Sequence, residues 1–238
     1  MYYLIFATTT GLQTVDYAYN VRGWLTDIND VTDTTPDKLF NFSIGYNQGA
    51  NPLYNGNISQ TQWRTDNTDS SLKSYDYTYD ALNRITGATD DTGNYSLSNV
   101  SYDRNGNIQT LQREGSSGPM DDLVYNYHNS EISNRLQRVA DGASGTEGFV
   151  DGATNTTEYT YDANGNMTSD ANKGISSVEY NHLNLPTNIT TPLGNISYVY
   201  DAVGTKLEKE VSGGSSVTQY AGNYVYSGPS GSETLQFM

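Results

Sequence analysis

Four aspartates, Asp80, Asp103, Asp162 and Asp201, occupy the same short context: each follows a tyrosine (Tyr79, Tyr102, Tyr161, Tyr200) and precedes a turn-forming segment. Side chains of these types in this arrangement could do three kinds of chemistry. Asp103-Arg104-Asn105-Gly106-Asn107 and Asp162-Ala163-Asn164-Gly165-Asn166 present alternating oxygen ligands of the sort calcium takes. Their glycine, however, is fourth where an EF-hand loop needs it sixth, and no bidentate glutamate follows. Paired carboxylates could also cleave a glycosidic bond, but a catalytic pair would be unique, and these aspartates recur. Tyrosine with asparagine and aspartate could bind a glycan, by ring stacking and bidentate hydrogen bonds. The two histidines, His128 and His182, fall at, or one residue beyond, the position that elsewhere holds Asp or Asn. Substitution within a turn is the simpler account of both. No Gly-x-Ser-x-Gly elbow marks a nucleophile. With no cysteine there is neither a disulfide nor a thiolate metal site. We therefore expect no catalytic residue, no metal site and no cofactor.

The elements that position these residues are announced by repetition. YTYDALNRI (77–85), SYDRNGNI (101–108), YTYDANGNM (159–167) and YVYDAVGTKL (198–207) are copies of one phrase, and YAYNVRGWL from Tyr17, YNYHNSEI from Tyr125 and EYNHLNLP from Glu179 are weaker copies. The second tyrosines, Tyr19, Tyr79, Tyr102, Tyr127, Tyr161, Tyr180 and Tyr200, with Tyr46 as a further member, are unevenly spaced. A constant phrase with a variable spacer suits hairpins rather than a helical repeat, and copies of one unit stack on each other. Within a phrase, alternate tyrosines share one face of a strand. Asn105-Gly106 and Asn164-Gly165 supply a turn dipeptide tolerant of positive φ, Gly23 and Gly204 serve other copies, and the aspartate ahead of each turn accepts backbone N–H bonds. Glu114–Asp122, 141–157 and 212–216, rich in Gly, Ser, Thr and Asp, read as exposed hairpin tips or loops. Residues 130–139 come nearest to a helical apolar period but fit strand and turn equally.

Composition decides between folded and disordered. Aliphatic residues are scarce and the net charge is −15, a combination typical of disorder, but 21 tyrosines supply large rings suited to a pleated, half-buried surface. We expect an all-β chain of repeated antiparallel hairpins forming a curved, spiralling sheet strip, a single region over 1–238 with divergent repeats in 1–70 and clearer ones in 71–238. The acidic balance disfavours nucleic acid and anionic membranes. The apolar run from Tyr2 to Ala7 lacks preceding basic residues and is too short to span a membrane, so it reads as an edge strand rather than a signal peptide.

On these residues, from about Tyr17 to Tyr226, the chain resembles the YD-repeat, or Rhs-repeat, family, whose unit is a Tyr-x-Tyr-Asp core, two variable residues, Gly, Arg or Asn, then Leu or Ile. DYAYNVRGWLTDIND and PLYNGNISQTQWRT look like the Rhs proteins of Bacteroidetes-type bacteria, and YAGNYVYSGPSGSETLQFM looks like the stretch leading into their C-terminal core segment. The resemblance implies a strip that spirals into a hollow shell around a C-terminal toxin or effector, in a protein that is secreted or displayed on a bacterial surface. It implies as partners a downstream core and toxin domain of the same polypeptide, neither of which lies within residues 1–238. The self-cleaving aspartates of the family core have no counterparts to carry over. Several copies also depart from the Gly-Arg pair, with Asn83-Arg84 or Gly204-Thr205 instead. The residues expected to matter are structural: Tyr19, Tyr79, Asp80, Tyr102, Asp103, Gly106, Tyr161, Asp162, Gly165, Tyr180, Tyr200, Asp201 and Gly204. The alternative reading is a cell-surface carbohydrate-binding or adhesion module, with glycans as partners.

Overall fold

A computed structural model describes residues 14–34, 38–67, 69–129, 132–144, 147–212 and 216–237. The expected strand at Tyr2–Ala7 lies outside them, as do 130–131 and part of the 212–216 spacer. The fold is all-β. A ten-stranded sheet holds, in order, β1 (Tyr17–Tyr19), β2 (Leu25–Ile28), β3 (Phe40–Gly45), β4 (Gln60–Thr65), β5 (Lys73–Tyr79), β6 (Ile85–Asp90), β7 (Leu97–Tyr102), β8 (Ile108–Gly115), β9 (Gly118–Tyr127) and β10 (Leu136–Asp141). β11 (Tyr159–Tyr161) and β12 (Met167–Asp170) pair with each other. A seven-stranded sheet follows, β13 (Ser177–Tyr180), β14 (Pro186–Thr191), β15 (Gly194–Tyr200), β16 (Lys206–Val211), β17 (Ser216–Ala221), β18 (Tyr224–Gly228) and β19 (Thr234–Phe237). Neighbours in sequence are neighbours in each sheet, which is what short hairpin connections impose.

Two compact units are present: Met1–Tyr102 with Ile108–Leu123 and Gly142–Gly148, and Asp103–Asn107 with Val124–Asp141 and Phe149–Met238. In the first, Val31, Ala88, Val100 and Leu123 are buried beside Asn29, Asn41, Ser59, Asp90 and Asp121. In the second, Val139, Ala153, Tyr159, Val178 and Val217 are buried with Glu158 and Asp170. Most other tyrosines are half-buried, and the alternate ones stack along a face: Tyr75 on Tyr77 at 6.1 Å and Tyr198 on Tyr200 at 6.3 Å between ring centroids.

Six copies of the phrase share one irregularity of register. The tyrosine before the loop pairs with the fifth residue after the Asp or Asn: Tyr19 with Leu25, Tyr79 with Ile85, Tyr102 with Ile108, Tyr161 with Met167, Tyr180 with Pro186 and Tyr200 with Lys206. The residue before that tyrosine pairs two positions further on, Thr78 with Gly87 and Thr160 with Ser169, so that one residue of the returning strand is left over. This is a β-bulge, which strengthens local right-handed twist.

The spacer at 114–122, read as an exposed tip, is instead mostly strand. β8 runs to Gly115 and β9 starts at Gly118, so only a tight turn separates them, and Asp121 is buried. The 141–157 spacer has no strand among its described residues after Asp141, yet it buries Ala153. Residues 132–135 are turn and bend, and β10 begins at Leu136.

Candidate functional site

The recurrent aspartates build one loop, repeated. In the Asp162 copy, Oδ1 accepts the N–H of Asn164 (2.9 Å) and of Asn166 (2.9 Å), and Oδ2 accepts the Asn166 side-chain amide (2.9 Å). The backbone closes the same loop, Asp162 N–H onto Asn166 O at 2.9 Å and Gly165 N–H onto Asp162 O at 3.2 Å. Asp103 repeats these bonds with Asn105 (2.8 Å) and Asn107 (2.9 and 2.8 Å). Asp80 repeats them with Leu82 (2.8 Å) and Arg84 (3.0 Å), the Arg84 guanidinium now supplying the bond to Oδ2. Asp201 does so with Val203 (2.9 Å) and Thr205 (2.8 Å). Asn20 and Asn181 each accept two N–H groups in the same places through their amide oxygen.

Only one residue per loop adopts positive φ, the third after the Asp or Asn. It is Gly23 (76°), Asn83 (62°), Gly106 (88°), Gly165 (91°), Asn184 (57°) or Gly204 (90°). The Asn-Gly pairs therefore do not act as two-residue turns with both residues left-handed; the glycine alone carries that conformation. Asparagine replaces it in two copies because it tolerates this region better than other side-chain-bearing residues.

That substitution joins loops to their neighbours. Asn83 Oδ1 accepts the side-chain amides of Asn55 (2.6 Å) and Asn57 (3.1 Å). Asn184 Oδ1 accepts those of Asn164 (3.2 Å) and Asn166 (2.9 Å). A second set of ties comes from the tyrosines. Their hydroxyls donate to backbone carbonyls of the preceding segment: Tyr46 to Leu25 (3.1 Å), Tyr79 to Ile58 (2.9 Å), Tyr102 to Ile85 (2.6 Å) and Tyr180 to Met167 (2.7 Å). Three of these carbonyls belong to the residue that opens the strand after a loop. Arg84 adds a bridge of its own, paired with Asp80 at 2.7 Å and lying 4.3 Å from the Tyr102 ring centre. Tyr19 is half-exposed at the sheet edge, and Tyr200 rests against Tyr198.

Ionisation follows this geometry. Asp80 and Asp201 are held below the ordinary carboxylate value of 3.8 chiefly by backbone N–H bonds from Arg84 and Thr205, and Asp162 chiefly by the Asn166 side chain. At Asp103 burial pulls upward, but the bonds from Asn107, Asn105 and Gly106 together outweigh it. Burial pushes Tyr79, Tyr102, Tyr161, Tyr180 and Tyr200 above 10.0. Because N–H donors already occupy both oxygens of Asp80, Asp103 and Asp162, a calcium ion would have to displace the bonds that form the loop. Among the described residues no three His, Asp or Glu side chains come together as a metal cluster.

Sequence reasoning missed the buried acids. Glu158 has no exposed side-chain surface and accepts bonds from Val139 N–H (3.0 Å), Asn172 (2.8 Å) and Arg138 (3.2 Å). Asp121, equally buried, pairs with Arg113. Neither lies in a copy of the phrase, so repetition does not point to them. Also missed was a cleft of about 280 Å³ lined by residues 20–26 and 46–56, with Trp24 and Tyr46 at 5.1 Å between centroids. A second, larger recess of about 470 Å³ at His128 places that ring edge-on to Tyr161 at 6.0 Å.

Comparison with known proteins returns fold information only. No protein-family model matches the chain, and no curated protein does. Among solved structures, the crystal structure of TcdB2-TccC3-TEV matches with a TM-score of 0.53 at 12% identity, over 92% of this chain and 12% of that one. The chain thus spans about an eighth of the protein it resembles and shares its fold over nearly all of its own length. Among the described residues, no helix is long and apolar enough to cross a membrane.

Proposed function

We propose that this chain is a structural, non-catalytic segment of an Rhs/YD-repeat shell, walling off a C-terminal toxin or effector domain of the same polypeptide in a secreted or surface-delivered bacterial protein. The observation that carries this reading is the sixfold use of one bulged loop, tied to its neighbours through tyrosine hydroxyls and asparagine amides. Residues repeated in this way serve the wall itself. The carboxylates that stand out in the sequence have their oxygens taken up by loop N–H groups, which leaves them poor acids, bases or nucleophiles. The likeness in fold to TcdB2-TccC3 supports the same reading.

The test is to express the chain together with the coding sequence on its C-terminal side and to follow limited proteolysis. The shell reading expects a downstream domain that resists protease while the wall is intact and becomes sensitive when the wall is destabilised. A downstream domain cut as readily as an isolated one, or no downstream domain at all, would overturn it.

A further inference from the structure

The repeat departs from itself after Tyr46 and again after Tyr127. At the first place β3 has ended at Gly45 and β4 does not begin until Gln60. That long loop is fastened at its far end by the buried Ser59 hydroxyl, which reaches Gly45 O (3.0 Å) and Gln48 O (2.7 Å). At the second place the change is one of charge. His128 stands where the other copies have Asp or Asn, and its N–H closes the loop on Arg135 O at 2.9 Å. Asp80 makes the same closure with Arg84 O, also at 2.9 Å, so Arg135 holds the place of Arg84 in an enlarged loop. Both arginines lie on the tyrosine of the next copy, Arg84 at 4.3 Å from the Tyr102 ring centre and Arg135 at 5.9 Å from that of Tyr161. Their partners differ. Arg84 has the Asp80 carboxylate at 2.7 Å, whereas Arg135 pairs with no acid among the described residues.

We propose that the recess of about 470 Å³ at His128 and Arg135 binds a carboxylate brought from outside the loop, in place of the one that this copy's sequence lacks. Its lining is His128, Asn129, Ser133, Arg135, Thr160 and Tyr161, with no acid among them in a chain that has 27 Asp and Glu. The Arg135 guanidinium offers a planar fork of N–H donors that matches the two oxygens of a carboxylate. Tyr161 stands beside both side chains, with the His128 ring edge-on at 6.0 Å. The loop is braced by Ser133, whose N–H reaches His128 O (3.3 Å) and whose hydroxyl accepts the Arg135 N–H (3.0 Å). The remaining sign is His128 Nε2, which is buried and has no hydrogen-bond partner among the described residues. A buried polar atom left unpaired is unfavourable. The χ2 torsion of an imidazole is soft and roughly two-fold, so a half-turn carries that nitrogen to an entering carboxylate and gives it an acceptor. Rival occupants fit less well. A phosphate carries a second charge, which the chain's net charge of −15 repels further. A cation meets Arg135, and an apolar group leaves both the guanidinium and Nε2 unpaired. This inference stands apart from the shell reading, and either can fail without the other.

The chain has two histidines, so His182→Gln, at an exposed position, leaves the His128 imidazole as the only one to follow by proton NMR. The full chain carrying that change is titrated at fixed pH and ionic strength with acetate, with an Ala-Glu-Ala tripeptide blocked at both ends, and with inorganic phosphate. The His128 ring protons should shift saturably with acetate, with a dissociation constant on the order of millimolar. Arg135→Gln should weaken that binding about tenfold. A tripeptide that binds about tenfold tighter than acetate would assign the carboxylate to an acidic side chain of a partner, and equal binding to a small free acid; both outcomes support the proposal. If either variant does not fold, calorimetry on the unaltered chain and on Arg135→Lys, which keeps the charge without the fork, reads the same comparison. No saturable response to acetate or to the tripeptide would overturn the proposal, as would an undiminished response in Arg135→Gln. Saturation by phosphate with none by the carboxylates would overturn it too. Glu131 is the one acid between His128 and Arg135 in the sequence, and Glu131→Gln should leave the acetate affinity unchanged. A gain of about tenfold there would mean that the loop supplies its own carboxylate, and would also overturn the proposal.

Discussion

The Asp162 loop and the 46–59 loop both follow a tyrosine at the end of a strand, yet they solve different problems. The first is closed by its own residues within five positions, and two donors, Asn164 and Asn166, are left over to reach Asn184. The second does not close within five positions. It depends on a buried serine at its own far end, on Asp76 in β5 and on Asn83 in the next loop. Repetition standardises the first kind of loop and so removes scope for a unique site. The second, freed from the repeat, folds over an indole and encloses a cleft. In a repetitive sheet, a departure from the repeat is where a unique local arrangement can form.

Acid should separate the two regions most widely. The aspartates of the regular loops have folded-state values depressed below 3.8. Their contribution is therefore present above about 3.8 and is lost as pH falls through the lower folded values. As pH drops below 4, backbone amides of Asn164 and Asn166 should lose hydrogen-exchange protection before those of Leu53 and Ser59. Simultaneous loss would erase the distinction. At the other extreme the raised tyrosines reverse the sign. Their stabilisation is complete below 10.0 and is lost as pH climbs through the higher folded values.

Next in size is Gly165→Val. A Cβ there would meet nothing nearer than Arg135 at 3.6 Å, so space is not the issue. A β-branched residue at φ 91° is strained, and thermal or urea unfolding should show a loss of about 2 kcal/mol. An unchanged midpoint would count against the shared loop geometry. Ser59→Ala attacks the irregular loop instead, removing a hydroxyl that reaches two carbonyls, and should cost about 1.5 kcal/mol. Tyr180→Phe has the smallest effect, about 1 kcal/mol for one hydroxyl bond to Met167 O. No loss at all would mean that these hydroxyls contribute nothing to holding successive hairpins together.

How much of this was readable beforehand depends on the distance over which each interaction acts. The positions of the loops, the glycines at 106, 165 and 204, and the accepting role of the aspartates were legible, because they rest on φ preferences and hydrogen bonds spanning at most five residues. The bulge was not legible. The phrase marks where alternation restarts, at Ile108 or Met167, but a residue slipped out of register one position later leaves no compositional trace. Nor were Asp121 and Glu158, since an acid in a Gly- and Thr-rich stretch reads as solvated until the arginine it meets is known. Asn83, seen only as a departure from the Gly-Arg pattern, proved to be a link between loops, as did Asn184, which the sequence did not single out.

By itself, then, the sequence determined that this protein is a series of hairpins with a common loop and a surface rich in half-buried tyrosine. Local torsional chemistry and strand periodicity suffice for that, and neither needs to know what lies alongside. Only the tertiary structure decided that the tyrosine hydroxyls bind the hairpin before them, that carboxylates outside the repeat are buried, and that one loop closes over Trp24. Each of these is a meeting of residues eight or more positions apart, as between Arg113 and Asp121 or between Tyr180 and Met167. Such a meeting is fixed by the register of neighbouring strands, which the order of residues along one strand does not contain.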